Sequence, residues 1–540
     1  MAPKSSARLV QQMNGITIHR YIRGAIFLLI TLVAVLSLIC CALNGSDPQE
    51  GQTSETERPM TSNRIIVRTA SGSEGSTSQG EESTKLPFHE DDEVINVDYA
   101  TVIGGGPEYY GVEYGWIDQD RDLYLDRYRR LHGNVVRVQI LQELFEPVND
   151  NNDPNHSEID FSLTVPINRQ MGKTMTYESM FKSLAAEFPD MHFQINIWLC
   201  ARWNATKPDG YMGLGGAFPP KDYAEHREFI RALARWLVVD CGIPPAHLSF
   251  TFINEANLKS FFAGSLADLL QMAKETRRAL DQVSPEIQMG GLDEVHGSQW
   301  TDEFYRQLPT FCCNLWTFHV YERGLPSMWR ALRKRTKCLS QYGQVWVTEF
   351  ADVTNGSPDA KMDFSTREAA LGFAELLGRM WPSGIDGIIH FRLSDTFTDR
   401  FGGWVGHGLF ADARGTHADG QAYEPFPVYW VFANMYRELG NGEIVKTTAP
   451  PDLIVVGARK GKPTEVQLAL WLTNSTTETR PVTFRVSNFP TKTALIRIFD
   501  NLVSDKPVET EQINGEELGF QAKIPPKSSY LFVFNPLYSK

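Results

Sequence analysis

The chain is 540 residues long, 42% hydrophobic and 22% charged, which supplies a large core plus a smaller second domain and excludes a wholly disordered chain. Its formal charge of -13 excludes a nucleic-acid partner, because phosphate contacts need concentrated positive charge. The globular part offers one short basic run, Arg330 to Lys337, which reads as a solvated helix face, so a neutral substrate suits the chain better.

In chain order, residues 1–23 read as a cytoplasmic tail and Gly24 to Leu43, GAIFLLITLVAVLSLICCAL, as a transmembrane helix of about the length that crosses a bilayer's hydrocarbon core. Lys4, Arg8, Arg20 and Arg23 precede it, and the positive-inside rule then places everything after Leu43 on the lumenal or extracellular side. The alternative is a cleaved signal peptide with a secreted product; the apolar run exceeds the roughly 7 to 15 residues usual there, and no small-x-small cleavage site closes it. Residues 44–92 shift to Ser, Thr, Gly, Glu, Gln and Pro around a mixed stretch, NRIIVRT. Such a segment buries too little apolar surface to offset its ordering entropy and reads as a disordered stalk.

From 93 to 440, strand-like and helix-like segments alternate. Strands are expected at Val94–Val102, Asn134–Ile140, His192–Leu199, Leu248–Ile253, Ile287–Leu292, Asn314–Val320, Gln344–Thr348 and Gly387–Leu393. Between them, stretches such as Tyr223–Val239 and Leu266–Val283 carry apolar residues at helical spacing. Ser265-x-x-Asp268 and Ser365-x-x-Glu368 predict capping boxes, Gly133 and Gly440 helix ends, and Asp118-x-Asp120-x-Asp122 a helix start rather than a calcium loop, since the Gly and closing Glu of an EF-hand are missing. Eight β/α repeats favour a (β/α)8 barrel over an open sheet. Gly104-Gly105-Gly106 lacks the helix-opening glycines of a phosphate loop and reads as a turn under the substrate. Beyond Gly440 the pattern turns to alternation, and residues 441–540 predict an all-β sandwich with Trp471 in a strand core.

Seven cysteines occur, Cys40 and Cys41 inside the apolar span and Cys200, Cys241, Cys312, Cys313 and Cys338 beyond it; their spacing gives no CxxC pair and no zinc pattern, and one or two disulfides or buried thiols remain open. Sequons at Asn155, Asn204, Asn355 and Asn474 suit a secretory route and predict a glycoprotein. His296, His390 and His407 lack metal-ligand spacing.

The chemistry is expected where two buried strands stop at carboxyl groups. LSFTFI ends at Asn254-Glu255 and QVWVT at Glu349, and in a (β/α)8 barrel catalytic groups sit where strands end. Two carboxyl groups on one face suit glycoside hydrolysis, with Glu255 as proton donor and Glu349 as attacking carboxylate. Arg137 and the Tyr321 hydroxyl are placed to hold Glu349 ionised and aimed, and His319 to assist from the sixth strand. Trp198, Trp203, Trp404, Tyr109 and Tyr110 are candidate sugar platforms, with Trp404 in GGWVGHG and Trp198 favoured. No metal and no cofactor are expected.

Together, Arg137 in NVVRVQI, Asn254-Glu255, His319 and Tyr321 in WTFHVY, and Glu349 in VTEFAD resemble glycoside hydrolase clan A. INEANL is similar to the NEPNL-type motif of family 39, with families 5 and 30 as near alternatives, and the resemblance spans roughly Val94 to Asn535. It implies a retaining β-glycoside hydrolase acting on an oligo- or polysaccharide, with Asn254 on the sugar 2-hydroxyl, and the apolar run Gly24 to Leu43 would anchor it to a membrane. A transglycosylase using the same glutamates and a catalytically silent carbohydrate-binding protein are the alternatives. Two departures stand out: Ala256 replaces the expected Pro, and Phe391-Arg392 ends the eighth strand where many relatives carry Trp. The sequence leaves protein partners open.

Overall fold

A computed structural model describes residues 67–69 and 93–538, except 152, 169–171, 211–213, 296–298, 309–312, 323–342, 354–363, 395, 399–402, 406, 412–422, 462–465 and 516–517. The expected transmembrane segment Gly24–Leu43, the basic run Arg330–Lys337, His296, Cys312, Cys338 and the Asn355 sequon lie outside the described residues. Among the described residues no helix is long and apolar enough to cross a membrane.

Eight parallel strands close into a barrel: β1 (Tyr109–Glu113), β2 (Val135–Ile140), β3 (His192–Ile197), β4 (Leu248–Thr251), β5 (Gln288–Val295), β6 (Leu315–Glu322), β7 (Gln344–Val353) and β8 (Gly387–His390). The helices around them are α1 (Arg121–Leu131), α2 (Gln142–Phe145), α3 (Tyr177–Glu187), α4 (Tyr223–Arg235), α5 (Leu266–Asp281), α6 (Gln299–Gln307), α7 (Arg367–Met380) and α8 (Pro427–Leu439). β3 and β4 are buried at every position, as parallel strands covered on both sides must be. α5 opens on the expected capping box of Ser265 and Asp268. The second expected box shifts by one residue: Thr366, not Ser365, caps α7 by accepting from Ala369 N at 3.2 Å. At the end of α1, His132 rather than Gly133 takes the left-handed cap at φ 59°. The Asp118 region does start a helix, through a 3-10 turn at Asp118–Asp120 that leads into α1.

The first expected strand is corrected. Glu93–Gly105 is not in the barrel; it pairs antiparallel with Glu443–Thr448 and parallel with Arg480–Ser487. The alternating burial of Ile95 and Val97 fits a sheet with one covered face, whereas β1 is the run YYGVE that follows. The sandwich is therefore built from both sides of the barrel sequence, and the Gly104–Gly106 turn lies where Gly106 N donates to Gly442 O at 3.0 Å, not under the substrate. Part of the expected stalk also joins this sheet, since Val67–Thr69 pairs with Leu518–Ile524.

The sheet has ten strands wrapped on a core in which Phe484 stacks on Phe520 at 4.3 Å with Phe532 beside them. α7 and α8 join it to the barrel. Trp471, fully buried, donates from its indole to Ala374 O at 3.2 Å, and a Cβ on Gly378 would come within 2.8 Å of Ile454, so glycine there lets α7 approach the sheet. The linkage continues where Gln467 donates to Glu438 of α8 at 2.6 Å.

Two sequons are buried in this fold. Asn204 is 2% exposed and exchanges bonds with the Asp222 backbone, and Asn474 is 0% exposed and donates to carbonyls of Glu478, Ile524 and Pro525. Neither amide is available to a glycan, while Asn155 is exposed. Cys200 and Cys241 are buried free thiols, and Cys313 is buried too.

Candidate active site

The site lies toward the C-terminal side of the barrel strands, which deliver polar side chains into a buried interior. Arg137 of β2 is its centre. Fully buried, it donates through Nη1 to Glu113 Oε2 at 2.6 Å and to Glu349 Oε1 at 2.5 Å, and through Nη2 to Asn254 Oδ1 at 3.0 Å and Asp293 Oδ2 at 3.2 Å. Burial alone would lower the guanidinium pKa; the charges of Glu349, Asp293 and Glu113 outweigh it and raise it. A buried cation is tolerated only when it is so surrounded.

Glu349 is held at both carboxyl oxygens. Arg137 and, at 3.3 Å, Gln139 Nε2 donate to Oε1, and the Tyr321 hydroxyl donates to Oε2. β6 and β7 pair His319 opposite Glu349, which brings His319 Nδ1 to 3.5 Å from Glu349 Oε2 and 3.1 Å from Glu255 Oε1. One ligand atom each of Glu255, His319 and Glu349 lies within 4.8 Å of the others.

Glu255 follows β4 by a short turn and sits at φ 44°, a left-handed conformation rare outside glycine and often retained where a side chain must be aimed. The turn is closed by Leu258 N donating to Glu255 O and by Ala256 N donating to Leu292 O at 3.1 Å. That second bond needs an N–H, which proline lacks, so the departure at Ala256 is matched by a local partner. Burial raises the Glu255 pKa; the hydrogen bond and charge of His319 oppose the rise, and the charge of Glu349 adds to it. His319 is itself raised: burial acts against its charge, but Glu349, the bond to Glu255 and Asp293 prevail.

Two acids here escaped the sequence reading. Glu113, 1% exposed at the end of β1, has its pKa pushed up to about 7, first by burial and against the pull of Arg137. Asp293 of β5, at φ 47°, accepts from Asn196, Thr251, Thr348 and Arg137. Burial would raise its pKa, but the charges of Arg137 and His319 and the hydroxyls of Thr317 and Thr348 lower it. The signal for Glu113 was present in YYGVE, had that run been taken as the first strand; the signal for Asp293 was the acid closing QMGGLD.

The aromatic candidates separate. Trp198, next to β3, is 8% exposed and packs at 5.6 Å on Phe261, while Trp203 donates from its indole to Glu146 O at 2.8 Å. Tyr109 and Tyr110 are corrections: both begin β1, at the opposite end of the barrel, where Tyr109 lies 4.5 Å from Trp346 and Tyr110 5.0 Å from Tyr436. Trp404 is placed by its backbone, which pairs with Phe397 in a two-stranded ribbon, and its side chain lies outside the described residues. Arg392, after β8, stands with its guanidinium 5.8 Å from the Tyr114 ring.

Glu255, His319 and Glu349 are spaced to share a metal ion, yet a cation there would face the Arg137 guanidinium and would have to displace the Tyr321 hydroxyl from Glu349. The donor set instead suits proton transfer beside a fixed carboxylate.

A family model described as "Glycosyl hydrolase catalytic core" matches residues 262–373. None of the curated proteins matches this chain in sequence. Solved structures share the fold: a glucosidase from Croceicoccus marinus (TM-score 0.61, 14% identity, 83% of this chain and 100% of that chain covered), a monomeric beta-xylosidase from Caulobacter crescentus CB15 (0.59, 13%, 83% and 100%), and a GH39 enzyme from Xanthomonas axonopodis pv. citri (0.58, 14%, 83% and 98%). GH30 xylanases align as well, among them an endoxylanase from Clostridium papyrosolvens C71 (0.57, 13%, 82% and 100%). In agreement with the clan A resemblance, the chain shares the fold of these GH39 and GH30 enzymes, and the stretch 262–373 within it matches the glycosyl hydrolase catalytic-core model.

Proposed function

We propose that the protein is a retaining glycoside hydrolase that cleaves β-glycosidic bonds by double displacement, with Glu349 as nucleophile and Glu255 as acid/base. The observation that carries the reading is the spacing of the pair: an oxygen of each lies within 4.8 Å of the other. Retaining enzymes hold their carboxyl groups about 5–5.5 Å apart, while inverting ones need roughly 6.5–9.5 Å to admit water.

In the first step the protonated Glu255 gives its proton to the leaving oxygen as a Glu349 oxygen bonds to the anomeric carbon and the glycosidic bond breaks. Arg137 and Tyr321, bonded to different oxygens of Glu349, fix its direction of attack. Esterification removes the Glu349 charge, one of the causes that raise the Glu255 pKa. Glu255, having given up its proton, then stays ionised, and it takes a proton from the water that releases the sugar and restores Glu349. Asn254, its carbonyl occupied by Arg137, has its amide N–H groups to offer the sugar 2-hydroxyl. Trp198 and Trp404 are assigned to sugar rings beyond the cleaved bond.

The neighbours' names, glucosidase and xylosidase, support a neutral glucose- or xylose-type glycone. The Gly24–Leu43 run supports a single-pass anchor that presents the barrel on the lumenal or extracellular side. The test is a panel of aryl β-D-glycosides, with the anomeric form of the first product followed by NMR. Release of the β-anomer from a β-glucoside or β-xyloside is expected; the α-anomer as first product overturns retention, and no turnover of any glycoside, aryl or polymeric, overturns the activity.

A further inference from the structure

A second set of acids lies away from the catalytic pair. Glu146 and Asp150 come from the chain after α2, Glu225 and Glu228 from successive turns of α4, and Glu146, Glu225 and Glu228 are 2%, 8% and 1% exposed. One carboxylate oxygen each of Glu146, Asp150 and Glu228 lies within 4.8 Å of the other two, and Glu225 stands within hydrogen-bond range of Glu228. Some of their oxygens have donors: Gln142 Nε2 reaches Glu146 Oε2 at 2.8 Å and Glu158 N reaches Asp150 Oδ2 at 2.6 Å.

Glu228 is a separate sign. It projects from a helix rather than from the acidic loop, it is buried, and neither of its oxygens accepts a hydrogen bond. Glu146 Oε1, Asp150 Oδ1 and Glu225 Oε2 are likewise buried without a donor. The nearby arginines are spent elsewhere, Arg227 on Glu275 and Arg231 on Pro154 O. Among the described residues no Lys or Arg forms an ion pair with any of the four. Carboxylates taken out of water demand a counter-charge or a proton.

We propose that Glu146, Asp150, Glu225 and Glu228 bind a Ca2+ ion. All the donors are oxygen, which selects hard cations over zinc. Ca2+ takes about six to eight oxygen ligands in a flexible geometry, which four carboxylates from a loop and a helix can supply, whereas Mg2+ demands a near-ideal octahedron and keeps several of its waters. The ion ties the chain after β2 to α4, which follows β3. That chain also holds the loop beyond β3, through Trp203 on Glu146 O and Arg202 on Glu143 at 2.8 Å. The metal thereby stiffens one wall of the barrel mouth without entering the chemistry.

The competing arrangement is a cluster that shares protons. Burial first, then neighbouring carboxylates, push Glu228 up to about 8 and Glu146, against the pull of Gln142, to about 7. Such acids bind protons more tightly folded than unfolded, so they stabilise below the unfolded carboxylate pKa and lose that effect as pH rises through 7–8.

The test uses the full-length protein at pH 7.5, stripped with EGTA and titrated with CaCl2. A saturable rise in Tm is expected, larger than with equal MgCl2, and Glu228→Gln or Asp150→Asn should weaken the Ca2+ midpoint at least about tenfold. Tb3+ serves as a second probe: its emission, sensitised by Trp203, should saturate in the parent protein, fall in Trp203→Phe, and vanish in Glu228→Gln. A Tm indifferent to Ca2+, together with Tb3+ emission unchanged in Glu228→Gln, overturns the site and leaves the shared protons as the reading. If Glu228→Gln fails to fold, Asp150→Asn and the Tb3+ titration of the parent protein decide alone.

Discussion

Removing the carboxyl group of Glu255 should divide substrates by leaving group. General acid catalysis contributes about 10²–10⁴-fold, and a glycoside with a poor leaving group should lose all of it in Glu255→Ala. A dinitrophenyl glycoside departs with little protonation, so its first step should slow by less than about tenfold. Its second step, deprived of a base, then limits turnover and the glycosyl-enzyme accumulates. Azide should relieve this, because a small anion can enter the space left by a side chain whose oxygen otherwise lies 3.1 Å from His319. The product should be the β-glycosyl azide. In Glu349→Ala, azide can replace only the missing nucleophile, and the product from an activated β-glycoside should be the α-azide. The pH profile gives an independent reading. Glu255 must be protonated in the free enzyme, and burial sets its pKa above 4.5. The kcat/KM of the parent should therefore fall as pH rises through that raised pKa, and Glu255→Ala should lack this alkaline limb. Equal losses for good and poor leaving groups, or an α-azide from Glu255→Ala, would refute the assignment.

Tyr321→Phe keeps the ring but removes a hydrogen bond to the Glu349 carboxylate; at about 1.5–3 kcal/mol for a bond to a charged group, kcat should drop roughly tenfold to a hundredfold. Arg137→Met leaves Glu113 and Asp293 buried without their counter-charge, and urea unfolding should show a loss of about 3–5 kcal/mol. His192, bonded to Ser249 at 3.0 Å, has its pKa lowered to about 3, by burial first and by His247 second. Its stabilising effect is present above the unfolded histidine pKa and falls as pH drops from about 6.5 toward 3, by about 1.4 kcal/mol per pH unit; His192→Gln should flatten that part of the stability curve. Trp471→Ala should cost roughly 3–5 kcal/mol at the contact of α7 with the sheet, read by calorimetry, while KM for a small aryl glycoside stays unchanged.

Sequence alone determined seven of the barrel strands and which of them carry Arg137, Glu255, His319, Tyr321 and Glu349, although Arg137 and Glu349 lie inside their strands rather than at the ends. Parallel strands buried on both sides write themselves as apolar runs, and a polar residue that ends such a run is conspicuous without any partner. The same local logic read the capping box at Ser265 and the alternating strands beyond Gly440. It failed where identity depends on a distant partner. Val94–Val102 and Tyr109–Glu113 are both plausible strands, and only the pairing of Thr447 with Val97 sends the first to the sandwich and leaves the second to the barrel. With that strand displaced, Glu113 could not be seen, and Asp293 gains its meaning only because Arg137 comes from β2 to meet it. Tyr109 and Tyr110 went to the wrong end of the barrel for the same reason. The burial of Asn204 and Asn474, and the convergence of Glu146 and Asp150 with Glu225 and Glu228, are equally tertiary. A carboxyl group's charge, proton and partners are set by what surrounds it in space, and separation along the chain carries no record of that.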